Sequence, residues 1–503
     1  MSSKSHMHGS GESNSVIVPT KHPNKSGEPL AEDVEGRPLT KENTGQSNSC
    51  RTQGRGGETS GLDRVREAAR RDGKVRFTAL LHHVTDDLLR ESYDSLKRQA
   101  APGVDGVTWK EYGEGLEARL QDLHGRIHRG AYRAQPSRRV WIPKADGRQR
   151  PLGIAALEDK IVQHAVGRVL NQIWEEDFLG FSYGFRPGRS QHDALDALWV
   201  GMVRQKVNWV LDADIRGFFD NMDHEWLVKF VEHRIGDRRV VRLIQKWLRA
   251  GVHEQGKWAA TEVGTPQGAV ISPILANLYL HYVLDVWVEA WRKRRARGDV
   301  IIVRYADDFV MGFQHRDDAE RFLRELRERM GKFRLEVHPD KTRLIEFGRY
   351  AAERREKRGE GKPETFKFLG FTHICGTNHK TGQFTVHRKT IGKRMAAKLK
   401  EIKAMLRRRL HASTESTADW LRMVVRGYFQ YHAIPGNWAR MNAFRRDVQR
   451  LWLQQLRRQS QRHRWSWERF LERLGPLIPE PRILHPYPSV RFDARIRGKN
   501  RVR

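Results

Sequence analysis

The tetrapeptide Tyr305-Ala306-Asp307-Asp308 sits between the apolar runs Ile301-Ile302-Val303-Arg304 and Phe309-Val310-Met311-Gly312-Phe313. Two β-prone runs with so short a break place the acidic pair at the tip of an antiparallel hairpin. Adjacent carboxylates repel each other, so such a tip is costly unless a cation or a base lies between them. Divalent magnesium prefers carboxylate and phosphate oxygens and is the natural occupant. The alternative is a solvated turn. The remaining segments decide between the two.

The chain carries 93 Lys and Arg against 61 Asp and Glu, a formal charge of +32, with Trp, Phe and Tyr interspersed. Such an excess points to a polyanionic partner. No apolar run reaches the length of a spanning helix and no signal-like segment opens the chain, so nucleic acid is favoured over a membrane surface. The two cysteines, Cys50 and Cys375, lie far apart in unlike contexts. That excludes a disulfide scaffold and a cysteine-based zinc knuckle, and it fits a reducing, cytoplasmic setting.

Residues 1–60 are rich in Ser, Gly, Asn, Glu and Lys and read as a disordered tail. Helical apolar spacing covers Leu80 to Leu89 and Leu116 to Ile127, and Asp159 to Trp174 forms one long amphipathic stretch. Strand-like runs occur at Val140-Trp141-Ile142, Trp209-Val210-Leu211 and on both sides of the acidic tip, which makes the order mixed, with antiparallel pairing around that tip. From His387 to Leu410 a helix is expected with one apolar face and one dense in Lys and Arg. Further helices are expected from Trp420 to His432 and from Ala443 to Arg462, with a loose basic end after Arg491.

A metal-dependent nucleotidyl transferase needs carboxylates, cationic groups for a triphosphate, and a pocket for sugar and base in one cleft. A further carboxylate source is Val210-Leu211-Asp212-Ala213-Asp214, where Asp212 and Asp214 share a face by the strand period and either could join Asp307 and Asp308. A turn flanked by Lys144 and Arg150 could fold over a triphosphate. In Gly264-Thr265-Pro266-Gln267-Gly268, Gly268 permits close backbone approach to a nucleotide and Gln267 can hydrogen-bond to a base pair or sugar.

Taken in order, these segments resemble the reverse transcriptases encoded by bacterial group II introns, the intron maturases. Tyr305 to Asp308 matches the family's catalytic hairpin, and Asp214 to Asp220 its other aspartate-bearing strand. Gly264 to Pro273 is similar to the loop that contacts template and nucleotide, and Ile142 to Ile154 to the fingers hairpin. Phe181-Ser182-Tyr183-Gly184-Phe185-Arg186-Pro187-Gly188-Arg189-Ser190 resembles a block at the fingers–palm boundary. Leu335 to Thr342 and Phe366 to Phe371 resemble later palm segments, the second being the primer grip, and Val425 to His432 resembles the thumb.

The resemblance implies an α+β right-hand polymerase: fingers and palm with antiparallel sheet, then an α-helical thumb or maturase domain. The corresponding division is a tail at 1–60, an N-terminal extension and fingers at 61–200, a palm at 201–375, a thumb at 376–480 and a basic tail at 481–503. It selects Asp214 over Asp212 as the third catalytic carboxylate, with two Mg²⁺ ions held by Asp214, Asp307 and Asp308. It makes Lys144 and Arg150 triphosphate ligands and Gln267 and Gly268 part of the nucleotide pocket. Phe219 takes the place of the ring that excludes a ribose 2′-hydroxyl, with Phe218 as the alternative. The implied activity is RNA-directed DNA synthesis from a dNTP on an RNA template with a DNA primer. The implied partners are group II intron RNA and target DNA, the chain acting as a monomer or dimer. Many relatives end in a zinc-supported HNH endonuclease, for which this sequence has neither cysteines nor remaining length, so second-strand cleavage is not expected.

Overall fold

A computed structural model describes residues 61–143, 149–254, 257–260, 263–265, 268–378, 381–459 and 465–499. The tail at 1–60 lies outside them. Among the described residues, strands form three sheets. Strand β1 (Ser137–Pro143) pairs antiparallel with β2 (Gln149–Ile154) and parallel with β4 (Val252–Glu254), which pairs with β5 (Lys257–Ala259). The central sheet has the order β6-β7-β3-β8, with β3 at Trp209–Ala213, β6 at Val300–Tyr305, β7 at Asp308–Phe313 and β8 at Arg343–Glu346. A third sheet joins β9 (Phe366–Phe368), β10 (Phe371–Thr377) and β11 (Phe384–Thr390).

Every residue of β6 and β7 is buried, which is why both read as nearly continuous apolar runs rather than as an alternation. The helix Arg316–Lys332 lies against β3 and β7 and inserts Phe322, Leu326 and Met330 into the core. Two hydrophobic clusters result. The larger includes residues from Val65 through Val386, Phe371 among them. The smaller, built on Leu406, Leu421, Phe429, Phe444, Trp452 and Phe470, belongs to the helices Gly392–Arg408, Thr414–His432, Trp438–Gln459 and Trp467–Arg473. Helices and antiparallel sheet therefore combine as the α+β class requires.

Three local expectations change, and one helix carries an irregularity. The basic helix begins at Gly392, because His387 to Thr390 is strand: Val386, Arg388 and Thr390 alternate inward and pair with β10. Leu81–His83 is a single 3₁₀ turn, and the α-helix starts afresh at Asp86 behind the Thr85 cap. The helix after the Gly264 loop runs Ser272–Leu280, passes through a π-helical turn at His281–Asp285 and resumes at Val286. As far as it is described, to Lys499, the basic end after Arg491 is not loose. Pro488–Lys499 is a helix packed on Gln191–Arg204, fixed by the Arg204–Asp493 pair and by Arg491 and Arg388, which both reach Asp196.

Candidate active site

The acidic tip is a two-residue hairpin turn. Tyr305 pairs with Asp308 across it, leaving Ala306 and Asp307 as the central residues. Of these two, only Ala306 has positive φ, 56°, the backbone pattern of a type II′ turn in which glycine is the usual occupant. A left-handed alanine costs about 1–2 kcal/mol, so its surroundings must hold it. Beside it runs the Phe181–Tyr183 segment, which extends the edge of the sheet: Arg304 donates its backbone N–H to Phe181 (2.9 Å), and Tyr183 donates to Arg304 (2.9 Å). Gly184 then passes so close that a Cβ there would meet the Ala306 nitrogen at 2.3 Å.

Beneath the turn lies Arg304, fully buried. Its guanidinium reaches both carboxylate oxygens of Asp285 (2.7 and 2.6 Å), Asn277 Oδ1 (3.1 Å), Ser182 Oγ (2.7 Å) and the Ala306 carbonyl (2.9 Å). Asn277 in turn donates to the Gly184 carbonyl (2.7 Å). The sequence reading missed Arg304, Asp285 and Asn277. The available signal was a lone arginine within an otherwise apolar strand, which has to be buried and therefore paired.

Strand register brings Asp214 to this tip. Ala213 is registered with Phe309, so continuing the ladder by one residue sets Asp214 across from Asp308. Asp214 is 8 % exposed and Asp308 1 %. The Leu335 to Thr342 segment braces this strand end: the Asp214 carbonyl accepts from the His338 N–H (2.7 Å), and the Arg216 N–H donates to the Glu336 carbonyl (2.8 Å). The Asp214 carboxylate meets Lys341 Nζ at 3.0 Å. Asp212, two residues back on the same face, lies 3.8 Å from Arg343. Among the described residues, no three His, Cys, Asp or Glu side chains are gathered closely enough to hold a metal ion. The backbone thus assembles the strand ends, while the Asp214 side chain is directed to its lysine. In donor chemistry the set still fits a hard divalent cation, since all three groups are carboxylates.

Phe219 and the Gly264 loop, the expected nucleotide pocket, meet. Thr265 donates to the Phe219 carbonyl (2.9 Å), and Gly264, at φ 83°, leaves no room for a side chain, a Cβ there falling 2.7 Å from the Asp220 carbonyl. Phe219 is 9 % exposed at this junction; Phe218 is buried more deeply, against Tyr279. Gly268 also has positive φ, 113°. Arg150 is half-buried on β2 opposite Ile142. Lys144 and Gln267 lie outside the described residues. The Phe366 to Phe371 segment forms the β9–β10 hairpin, whose Leu369 carbonyl accepts from Tyr431 Oη (2.8 Å) on the helix Thr414–His432.

Residues 142–373, which include the acidic hairpin, Asp214 and the Gly264 loop, match the family model for reverse transcriptase (RNA-dependent DNA polymerase). The protein YkfC of Escherichia coli K12 is 34 % identical over 330 residues, 58 % of this chain and 87 % of YkfC. The chain belongs to the reverse transcriptase family. The group II intron-encoded protein LtrA of Lactococcus lactis subsp. cremoris is 34 % identical over 224 residues, 44 % of this chain and 37 % of LtrA. A putative COX1/OXI3 intron 1 protein of Saccharomyces cerevisiae is 27 % identical over 305 residues, 51 % of this chain and 36 % of that protein. The chain thus spans little more than a third of the length of these two intron proteins. In this reverse transcriptase, no described helix is long and apolar enough to cross a membrane.

Proposed function

We propose that this reverse transcriptase is of the group II intron type: an RNA-directed DNA polymerase that copies intron RNA and also binds that RNA to assist its splicing. The observation that supports the polymerase reading most is the register that sets Asp214 across from Asp308, beside the Asp307 turn. Asp214, Asp307 and Asp308 would hold two Mg²⁺ ions, which when bound supply activation of the primer 3′-hydroxyl and neutralise charge on the leaving pyrophosphate. The protein's own contribution is placement. The hairpin presents two carboxylates at a buried strand end, and Lys341 balances the charge of Asp214. Phe219, seated against the Gly264 loop, fills the space a ribose 2′-hydroxyl would need, and Arg150, together with Lys144, draws the triphosphate of the dNTP. Primer extension on an RNA template with Mg²⁺ and dNTPs tests this. An alkali-stable DNA product is expected; its absence under conditions where the protein binds the template would refute it.

A splicing role is favoured by the basic faces of the thumb helices. Lys393, Lys400, Lys403, Arg407 and Arg408 are exposed on Gly392–Arg408, and Arg446, Arg450, Arg457 and Arg458 on Trp438–Gln459. Such faces contact phosphates without reading sequence, so RNA binding should weaken steeply with salt. A polymerase-dead variant that still promotes splicing of the parent transcript separates the two roles. The target DNA would use the same cleft, and a cytoplasmic bacterial setting, as a monomer or dimer, is part of the proposal.

A further inference from the structure

Arg304 shares a face of β6 with Val300 and Ile302, and an apolar side chain of similar size would fill its position. Instead a guanidinium is buried completely, its five N–H groups matched by five hydrogen bonds. Replacing a buried ion pair by apolar residues of similar volume is often neutral or stabilising. Stability alone therefore does not account for the pair with Asp285. What distinguishes this guanidinium is its set of partners. They come from three separate segments, Ser182 at the fingers boundary, Asn277 and Asp285 from the helix and its π-helical turn, and Ala306 within the catalytic hairpin.

We infer that Arg304 is a positioning residue for the catalytic turn. By holding the Ala306 carbonyl it fixes the left-handed residue immediately before Asp307, and so the direction in which Asp307 and Asp308 leave the turn. The π-helical turn serves this arrangement by delivering Asp285 to the back of the guanidinium, and Asn277 ties the same network to Gly184 on the opposite side of the tip. The inference rests on the polymerase reading for its effect on catalysis, but not for its effect on the turn.

The test compares wild type, the paired variant Arg304→Met with Asp285→Leu, and Arg304→Lys. The paired variant removes both charges at similar volume, so its melting temperature and its affinity for primer–template should stay near wild type. Its single-nucleotide turnover should fall about 100-fold, as for a reacting group displaced by about 1 Å, with KM for dNTP changed less than about twofold. Amide hydrogen exchange should rise in the peptide spanning residues 303–310 and stay as in wild type for β3 and for Arg316–Lys332. Arg304→Lys keeps a charge against Asp285 but cannot span Asp285, Ser182 and Ala306 together, so it should show the same local exchange with about a tenfold loss. Should the paired variant fail to fold, the lysine variant decides. Wild-type turnover in the folded variant, or exchange rising uniformly across the palm, overturns the inference. If wild type itself extends no primer, the polymerase reading fails, and the exchange pattern alone judges Arg304.

Discussion

Substituting Gly184 by alanine probes the close backbone approach at the Ala306–Asp307 turn. The added Cβ would lie 2.3 Å from the Ala306 nitrogen, 2.8 Å from the Tyr305 carbonyl carbon and 3.0 Å from Tyr305 Cδ1. Two of these neighbours are backbone, and comfortable contacts between carbon atoms begin near 3.5 Å, so the segments must part by about 1 Å. Neither gives freely: the Gly184 carbonyl is held by Asn277 and the Ala306 carbonyl by Arg304. Overpacking of this kind costs about 1–3 kcal/mol of stability. A displacement of about 1 Å at reacting groups costs on the order of 100-fold in rate. Pre-steady-state incorporation of one dNTP at saturating primer–template should therefore slow about 100-fold, with the affinity for primer–template unchanged. Gly331→Ala is the control. Gly331 lies in the helix Arg316–Lys332 with no atom within 4 Å of the added Cβ, so a gain of about 0.5–1 kcal/mol and unchanged turnover are expected. A Gly184→Ala variant that turns over within about twofold of wild type would refute the claim that this contact sets the position of the acidic pair.

Phe219→Ala should raise ribonucleotide incorporation, read from the ratio of rNTP to dNTP turnover, whereas Phe218→Ala should act on stability, costing about 3–5 kcal/mol in a denaturant titration because its ring is buried against Tyr279. Reversed roles would move the sugar gate to Phe218. Asp196→Ala should destabilise by about 3–5 kcal/mol, since Asp196 serves both Arg388 and Arg491 and its loss strands buried charge; an unchanged denaturation midpoint would show the C-terminal helix contributes nothing there. Acid should also weaken the fold. Burial, aided by nearby arginines, lowers His281 and His432 to about 3, so below the ordinary value near 6.5 the unfolded chain takes up protons that the folded one refuses. Stability present above pH 6.5 is then lost as pH falls, by up to about 2 kcal/mol per histidine at pH 5. Asp159 and Asp177, raised to about 6 by burial, oppose this by about 1.3 kcal/mol each between pH 7 and 5. With His164 and His192 also lowered, the histidines prevail, and a urea midpoint that rises on going from pH 7 to 5 would contradict the balance.

The acidic hairpin was legible because strand periodicity and turn length are local, and Tyr305 to Asp308 shows both without help from the rest of the chain. The β1–β2 hairpin was legible for the same reason. What local pattern could not supply is register. Asp212 and Asp214 share a face, and only the pairing of Ala213 with Phe309 puts Asp214, not Asp212, at the acidic tip. Charge misled in two places. The Arg and Lys residues near His387 suggested a solvated helix, whereas Arg388 turns inward on β11 to meet Asp196, a partner 192 residues away in sequence. The basic C-terminal end likewise owes its order to Asp196 and Arg204, which no nearby residue announces. Arg304 combines both lessons, a charge that is buried because its partners come from distant segments.

The most direct measurement is RNA-templated incorporation of a labelled dNTP by wild type and by Asp308→Asn, with binding of the same primer–template followed in parallel. Wild type should extend the primer, and the variant should bind equally well but extend it at least about 1,000-fold more slowly, as expected on losing a group that stabilises charge only in the transition state. A folded Asp308→Asn protein that extends the primer at the wild-type rate would contradict the placement of catalysis at this hairpin.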